Sequence, residues 1–411
     1  MIFPTRGGVA LGHELPEAEL SDEPRAQRPA TRPVSLGELY DRWMGEWLGP
    51  NALPGEPEAS CDDCAMRPSH EEEPGRVYFD QMTRCCTFVP VIPNFLVGRI
   101  LKDQSPDAGL GRESVIERIA MRRAVSPLGL ERTLGFALKY RHTADAFGRK
   151  GSLRCPHHLD DGRCGIWRNR ESTCSTWFCK PARGERSLAL WRAIQSFLAV
   201  IERQLSFWCV RRLGITHDAV TEAFFSGNHP LWTNKATYKT HLFGSQLDGP
   251  RKSADPLGVA TRREHQELWG NWDRREIELY EACADLVEPL SFEDLGRIVG
   301  TELEPAKGPV LETLEALEKG EIPTRLTARP TTLVQIRKRP KGEWVLASSY
   351  RAYDPRELPR ELYEALPRFD GRATAEVIAE IETETGIRVE HDALLALVEL
   401  GFLDEQGAKG E

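Results

Sequence analysis

Cys155-Pro-His-His-Leu-Asp-Asp-Gly-Arg-Cys164-Gly-Ile-Trp-Arg-Asn-Arg-Glu-Ser-Thr-Cys174-Ser-Thr-Trp-Phe-Cys179 places four cysteines in one short stretch that is poor in regular secondary structure. A second set lies upstream: Cys61-x2-Cys64, twenty intervening residues, then the adjacent pair Cys85-Cys86. Eight of the ten cysteines therefore fall between Cys61 and Cys179, while Cys209 and Cys283 stand alone. In a chain of the reducing cytoplasm, clustered cysteines are metal ligands or redox groups more often than disulfides.

The spacing has a chemical meaning. A C-x2-C turn points two sulfurs to one side, and four thiolates complete a tetrahedral zinc site or hold an iron–sulfur cluster. Binding requires thiolates, so metal uptake releases protons and drives the folding of a loop-rich segment. The candidate ligands are Cys61, Cys64, Cys85, Cys86, Cys155, Cys164, Cys174 and Cys179. The pair Cys85-Cys86 is awkward for one ion, because neighbouring side chains in extended backbone point to opposite sides. Either the two sulfurs serve two sites, or one of them is an outer or redox thiol. His157 and His158 are alternative ligands, with hydrogen-bonded or surface roles the commoner outcome for such residues. Asp62, Asp63, Asp160 and Asp161 read as solvated loop carboxylates. Cys209 and Cys283 sit in helical stretches and read as small buried hydrophobes.

The rest of the chain surrounds this region with helices. Leu36, Leu39, Trp43 and Trp47 recur at helical spacing behind a candidate Ser35 cap, and Gly49-Pro50 ends the run. Ser114–Ala124 is amphipathic, and Lys139–Arg154 reads as a polar loop. Trp191, Ile194, Leu198, Ile201, Leu205 and Trp208 give one apolar face of a helix over 188–213. Further helices are expected over 269–287, 291–300 and 309–319. The last ninety residues change character. Thr331–Arg337 and Glu343–Ser348 form a hairpin, and helices follow over 358–366, 375–384 and 392–400. The expected fold class is mostly α with an irregular cysteine-rich metal-binding region, closed by a small C-terminal α+β winged-helix-like domain. The expected domains are a disordered arm (1–33), a cysteine-cluster domain (34–185), a helical region (186–320) and the winged-helix domain (321–411).

Composition excludes some classes. The 411 residues carry 54 Lys+Arg against 63 Asp+Glu, a net charge of -9, which argues against a nucleic-acid partner. The run Arg337-Lys-Arg-Pro-Lys341 reads as a solvated hairpin turn. No run has the apolar length needed to span a bilayer, and Met1–Leu20 does not read as a secretory signal. The expectation is a cytoplasmic chain without membrane contact. The phosphate-binding G-x-x-x-x-G-K-[ST], the dinucleotide G-x-G-x-x-G, the G-x-S-x-G elbow and H-E-x-x-H do not occur as working motifs. Tyr140, Arg141 and His142 read as a polar loop, and Trp167, Trp177 and Phe178 as packing beside the cysteines.

The stretch ending at Cys179 resembles the YkgJ-type cysteine-cluster family of zinc- or iron-chelating proteins. Cys164-Gly-Ile166-Trp167 and Arg170-Glu-Ser-Thr-Cys174 follow its pattern closely, with Trp177 in place of a phenylalanine. Cys61, Cys64, Cys85 and Cys86 match its C-x2-C-x2-C-C opening, except that twenty residues stand where the family has two. The resemblance covers roughly residues 57–182 and implies zinc or iron–sulfur binding. Flagellin lysine-N-methylases carry a related cluster. Phe369-Asp-Gly-Arg-Ala-Thr-Ala-Glu-Val-Ile-Ala-Glu-Ile381 and Leu394–Leu403 resemble PqqD-type winged helices. Those bind a leader peptide as an added strand, which implies a peptide or protein partner.

Two function classes remain open. In one, the cysteines hold zinc or an iron–sulfur centre in a non-catalytic metal-binding protein with a peptide-recognition domain. In the other, an iron or iron–sulfur enzyme modifies a peptide or protein that the C-terminal domain delivers. Both require metal.

Overall fold

Trp191, Ile194, Leu198, Ile201 and Leu205 are buried along one face of a single helix that spans Gly184–Arg212. At 1.5 Å per residue it is about 43 Å long and forms the axis on which the main core assembles. The computed structural model describes residues 31–57, 64, 66–67, 76–143, 147–215, 262–339 and 342–405. The arm expected over 1–33 lies outside the described residues up to residue 30, as do Cys61, Asp62 and Asp63.

In chain order the helices are α1 (Glu38–Leu48), α2 (Asn94–Lys102), α3 (Gly109–Ala120), α4 (Leu134–Arg141), the one-turn α5 (Ser172–Ser175) and α6 (Gly184–Arg212). They continue with α7 (Arg262–Trp269), α8 (Glu276–Val287), α9 (Phe292–Val299), α10 (Leu303–Lys319), α11 (Arg360–Ala365), α12 (Thr374–Thr385) and α13 (His391–Glu399). The strands are β1 (Ile92–Pro93), β2 (Val125–Ser126), β3 (Gly129–Leu130), β4 (Arg325–Ala328), β5 (Thr332–Arg339), β6 (Gly342–Ser348), β7 (Arg356–Pro359), β8 (Asp370–Ala373) and β9 (Leu403–Glu405). The described fold is mostly helical with small antiparallel sheets. Their strand orders are β1-β3-β2, β8-β4-β9 and β5-β6-β7, the last two in the C-terminal β-rich region.

The apolar side chains separate into three clusters. The largest packs α1, α2, α8, α9 and α10 around α6. A second, built on Phe369, Val377, Leu397 and Phe402, belongs to the C-terminal region. The third is small and lies at the cysteines: Met66, Phe79 and Cys179, with Cys64, Cys85, Phe147, Trp177 and Tyr353 against it. Cys209 and Cys283 are both fully buried in the largest cluster, between α6 and α8. Among the described residues no helix is long and apolar enough to cross a membrane.

Several local expectations are corrected. Ser35 does not cap α1. Gly37 takes the N-cap position, and the Ser35 hydroxyl donates to Asp41 at 2.6 Å instead. The Lys139–Arg154 segment is not wholly a loop, since α4 runs to Arg141 from a Thr133 cap that accepts the Phe136 N–H at 3.1 Å. The helix expected over 269–287 is broken after Trp269 by a tight turn, with Gly270 and Arg274 in left-handed backbone. The C-terminal hairpin β5–β6 forms as expected, but residues 356–359 pair with β6 as a strand. The helix there starts only at Arg360, after Pro359, whose fixed φ and missing N–H suit a strand end. β4, β8 and β9 form a sheet from runs distant in sequence, each too short to show alternation.

Candidate metal centre

The cysteines reach one place by three separate segments. A cavity of about 450 Å³ is lined by Cys64, Cys85, Cys86, Cys155, Cys164, Cys174 and Cys179, every candidate ligand that falls in the described residues. Cys61 lies outside them. The sulfurs stand wider than a single ion requires. No three cysteine sulfurs among the described residues lie within 4.8 Å of one another.

Each segment is held by identifiable contacts. Residues 81–87 form successive turns, and the Thr87 N–H returns to the Cys85 carbonyl at 2.8 Å, a three-residue turn centred on Cys86. The pair is therefore bent rather than extended, and both cysteines line the cavity. Arg84, in left-handed backbone at φ 51, donates to the Gly162 carbonyl at 2.7 Å. The Cys155 N–H donates to the Cys86 carbonyl at 2.7 Å. The Cys85-Cys86 turn is thus tied at two points to the loop carrying Cys155 and Cys164. That loop folds back on itself between His158 and Cys164, with the Leu159 N–H on the Arg163 carbonyl at 2.9 Å. It presses on α3 so closely that a Cβ on Gly111 would fall 1.7 Å from the Gly165 carbonyl oxygen.

Cys174 sits on the single turn α5. Glu171 caps it, accepting the Thr173 and Cys174 N–H groups at 2.6 and 3.0 Å. Ser172 anchors the same turn to α6, through 2.7 and 2.8 Å hydrogen bonds from its N–H and hydroxyl to Glu202. Tyr40 of α1 donates to Glu202 as well. Burial, and then the neighbouring Glu171 carboxylate, raise the Glu202 carboxyl to about 8, so it is protonated at neutral pH. Spacing does not reveal this buried pair, because Glu202 lies thirty-one residues beyond Glu171 on an otherwise apolar helix face.

The surroundings hold four of the thiols in their neutral form, and burial is the main cause for three of them. Burial pushes Cys155 up to about 12 and raises Cys64. Cys174 is raised by burial and then by Glu171, and Cys179 by a hydrogen bond with Cys85 and then by burial. Thiols raised this way are poor nucleophiles and ionise only when a cation stabilises the thiolate. Two features favour the ionised form. The Met66 N–H serves the Cys64 sulfur, and the His157 N–H serves the Cys155 sulfur, each from two residues along the chain. The cavity wall also carries Arg84, Arg170, Lys180, Arg192 and Arg351, and among the described residues none that lines it is Asp or Glu.

The two histidines have distinct roles. His157 uses both ring nitrogens, Nδ1 at 2.8 Å from the Ser114 hydroxyl and Nε2 at 3.4 Å from Arg118. Burial lowers it to about 3, so it is a neutral bracket between the loop and α3. The Nδ1 of His158 accepts from Arg154 at 3.2 Å, which puts the ring proton on Nε2. That nitrogen is buried without a hydrogen-bond partner. As a donor it has no lone pair for a metal. Asp160 and Asp161 pair with Arg154 and Arg163 at 2.7 and 2.8 Å on the exposed side of the loop.

The C-terminal region completes the cavity. Arg351 donates to the Phe178 carbonyl at 2.6 Å and lies over the Trp177 ring at 4.8 Å, and Tyr353 packs beside Phe79 and Phe147. No spacing rule connects residues 351–353 with a cluster ending at Cys179. One further group has no signature in the sequence. The His265 Nε2 stands 2.7 Å from Glu276 and 3.5 Å from Asp273, and the three ligand atoms lie within 4.8 Å of one another. These residues flank the break between α7 and α8, and Arg122 approaches Asp273 at 3.8 Å.

Comparison of the chain with protein-family models, with curated proteins and with solved structures finds no match. The resemblances drawn above rest on the quoted motifs.

Proposed function

We propose that this chain is a metal-binding protein whose clustered cysteines hold an iron–sulfur centre. The observation that carries the reading is the convergence of seven cysteines, from three chain segments, on one cavity with a cationic wall. The resemblance to YkgJ-type proteins supports it. Zinc is the alternative cofactor, and the spacing weighs against it. Thiolates about 2.3 Å from one zinc ion stand roughly 3.8 Å apart. Thiolates on an iron–sulfur cluster bind different iron atoms and stand wider, in keeping with the described sulfurs, no three of which lie within 4.8 Å. Iron, zinc and acid-labile sulfide analysis of anaerobically purified protein, with a visible spectrum, tests the reading. Iron with sulfide and a broad visible band is the expected result. Zinc without sulfide would replace the cluster by structural thiolate sites, and absence of metal would overturn the proposal.

A second reading adds catalysis on a peptide or protein. Its support is that Arg351 and Tyr353 line the cavity from the same C-terminal region that presents β5 at a sheet edge, with Leu333 and Ile336 exposed on it. An unpaired edge of a winged-helix-like domain accepts a peptide as an added strand. An iron centre whose spectrum shifts on adding azide supports this reading. A redox-inert, all-thiolate zinc site would end it.

A further inference from the structure

We propose that the cysteines divide between two separate metal centres whose ligand sets cross the order of the chain: Cys64, Cys85 and Cys179 at one, Cys86, Cys155, Cys164 and Cys174 at the other. The inference rests on the metal-binding reading and goes beyond it, because chain order would group Cys179 with Cys155–Cys174 and Cys86 with Cys85.

Packing draws the division. Cys64, Cys85 and Cys179 share the small apolar cluster with Met66 and Phe79. Cys164 packs instead against the main core. Cys85 and Cys179 are joined by a hydrogen bond, and Cys64 and Cys179 are near enough for their charges to oppose each other. Cys155, Cys164 and Cys174 form a second set of mutually opposing thiols. Cys86 is assigned to that set because its backbone is tied to the same loop, its carbonyl accepting the Cys155 N–H at 2.7 Å, and because it lines the same cavity. Each set contains one sulfur served by the N–H two residues further on, Cys64 in the first and Cys155 in the second.

The local backbone explains both crossings. At the three-residue turn centred on Cys86, Cys85 packs with Cys179 in the small cluster while the Cys86 backbone is tied to the Cys155 loop. After Cys174 the chain leaves α5 and its side chains alternate. Trp177 and Cys179 enter the small cluster, whereas Phe178 turns to the main core and packs on Trp191 with ring centroids 4.7 Å apart. The three successive residues thus go to two clusters, and Cys179 is carried across to the other centre.

Iron and sulfide per chain, with electron paramagnetic resonance of the reduced protein, test the division in single and paired Cys→Ser variants. Cys179→Ser and Cys174→Ser are each expected to lose about half of the metal, with different residual spectra. Cys85→Ser should match Cys179→Ser, and Cys86→Ser should match Cys174→Ser. The pair Cys179→Ser with Cys85→Ser should lose no more than either alone, and Cys179→Ser with Cys174→Ser should lose all. If Cys179→Ser and Cys174→Ser leave the same residue, or every single variant loses all metal, the division is wrong while the metal-binding reading stands. Metal-free wild-type protein would overturn both. Variants that fail to fold are bypassed by stepwise chelation of the wild-type protein with alkylation and mass spectrometry. The thiols should then become reactive in the two crossed groups, and release in chain order would refute the division.

Discussion

The Arg84 guanidinium lies directly on Gly162 and donates to its carbonyl at 2.7 Å. This contact clamps the Cys85-Cys86 turn to the loop between Cys155 and Cys164. Gly162 has φ +89, and a Cβ there would meet the Arg84 Nη2 at 2.1 Å. Gly162→Ala therefore strains the backbone and evicts the guanidinium. The expected cost is about 2 kcal/mol, the sum of left-handed strain and a displaced charged hydrogen bond. Thermal unfolding should show it, accompanied by reduced metal content. An unchanged melting temperature would mean that the clamp holds nothing.

The two isolated cysteines provide a control for the clustered ones. Cys209 and Cys283 are fully buried between α6 and α8, and the Cys209 thiol meets the Cys283 carbonyl at 3.8 Å. Cys209→Ser buries a more polar hydroxyl and should cost about 1–3 kcal/mol with metal content unchanged. Replacing Cys164 and Cys174 together by Ser should lose bound metal. Metal analysis beside denaturant unfolding separates the two effects, and equal metal in both variants would count against the ligand assignment.

Glu202 makes the protein's stability fall as pH rises. Its carboxyl is raised to about 8 by burial and by Glu171. The folded chain thus holds this proton more tightly than the unfolded chain does. The stabilisation is fully present below the ordinary glutamate range and is lost as pH rises through about 8. Its size is on the order of a few kcal/mol. Glu202→Gln keeps a neutral side chain of the same shape and should flatten the stability profile between about pH 5 and pH 8. A variant with the wild-type slope would place the titration elsewhere.

Arg351 brings a positive charge from the C-terminal region to the cavity, braced by the Phe178 carbonyl at 2.6 Å. A cation near a cluster stabilises its reduced, more negative state. Arg351→Ala should therefore lower the midpoint potential, on the order of tens of millivolts, while leaving the metal count near wild type. Redox titration of the two proteins reads the shift. A potential that does not move would show that Arg351 acts only as a structural tie.

Much of the helical frame is legible in the pattern of residues. Trp191 to Leu205 mark the central helix, because a helix buried on one side must repeat its apolar residues every three or four positions. The cap and stop residues are weaker guides. Ser35 stands where a cap is expected, yet Asp41 is close enough to take its hydroxyl and Gly37 begins the helix instead. The short strands β4, β8 and β9 leave no signal, since three or four residues do not establish a period.

The sequence by itself determined which residue types are available for metal and where they cluster along the chain, because ligand chemistry depends on the side chain alone. It also determined the helices with a clear apolar face, the central one above all, because periodicity is a local property. Only the tertiary structure decided which sulfurs are neighbours. Around Cys86, and again from Trp177 to Cys179, neighbouring residues meet different parts of the fold. Arg84, Glu202 and Arg351 reach the site from distant segments. Such pairings depend on how loops are pinned to one another, and no spacing along the chain encodes them.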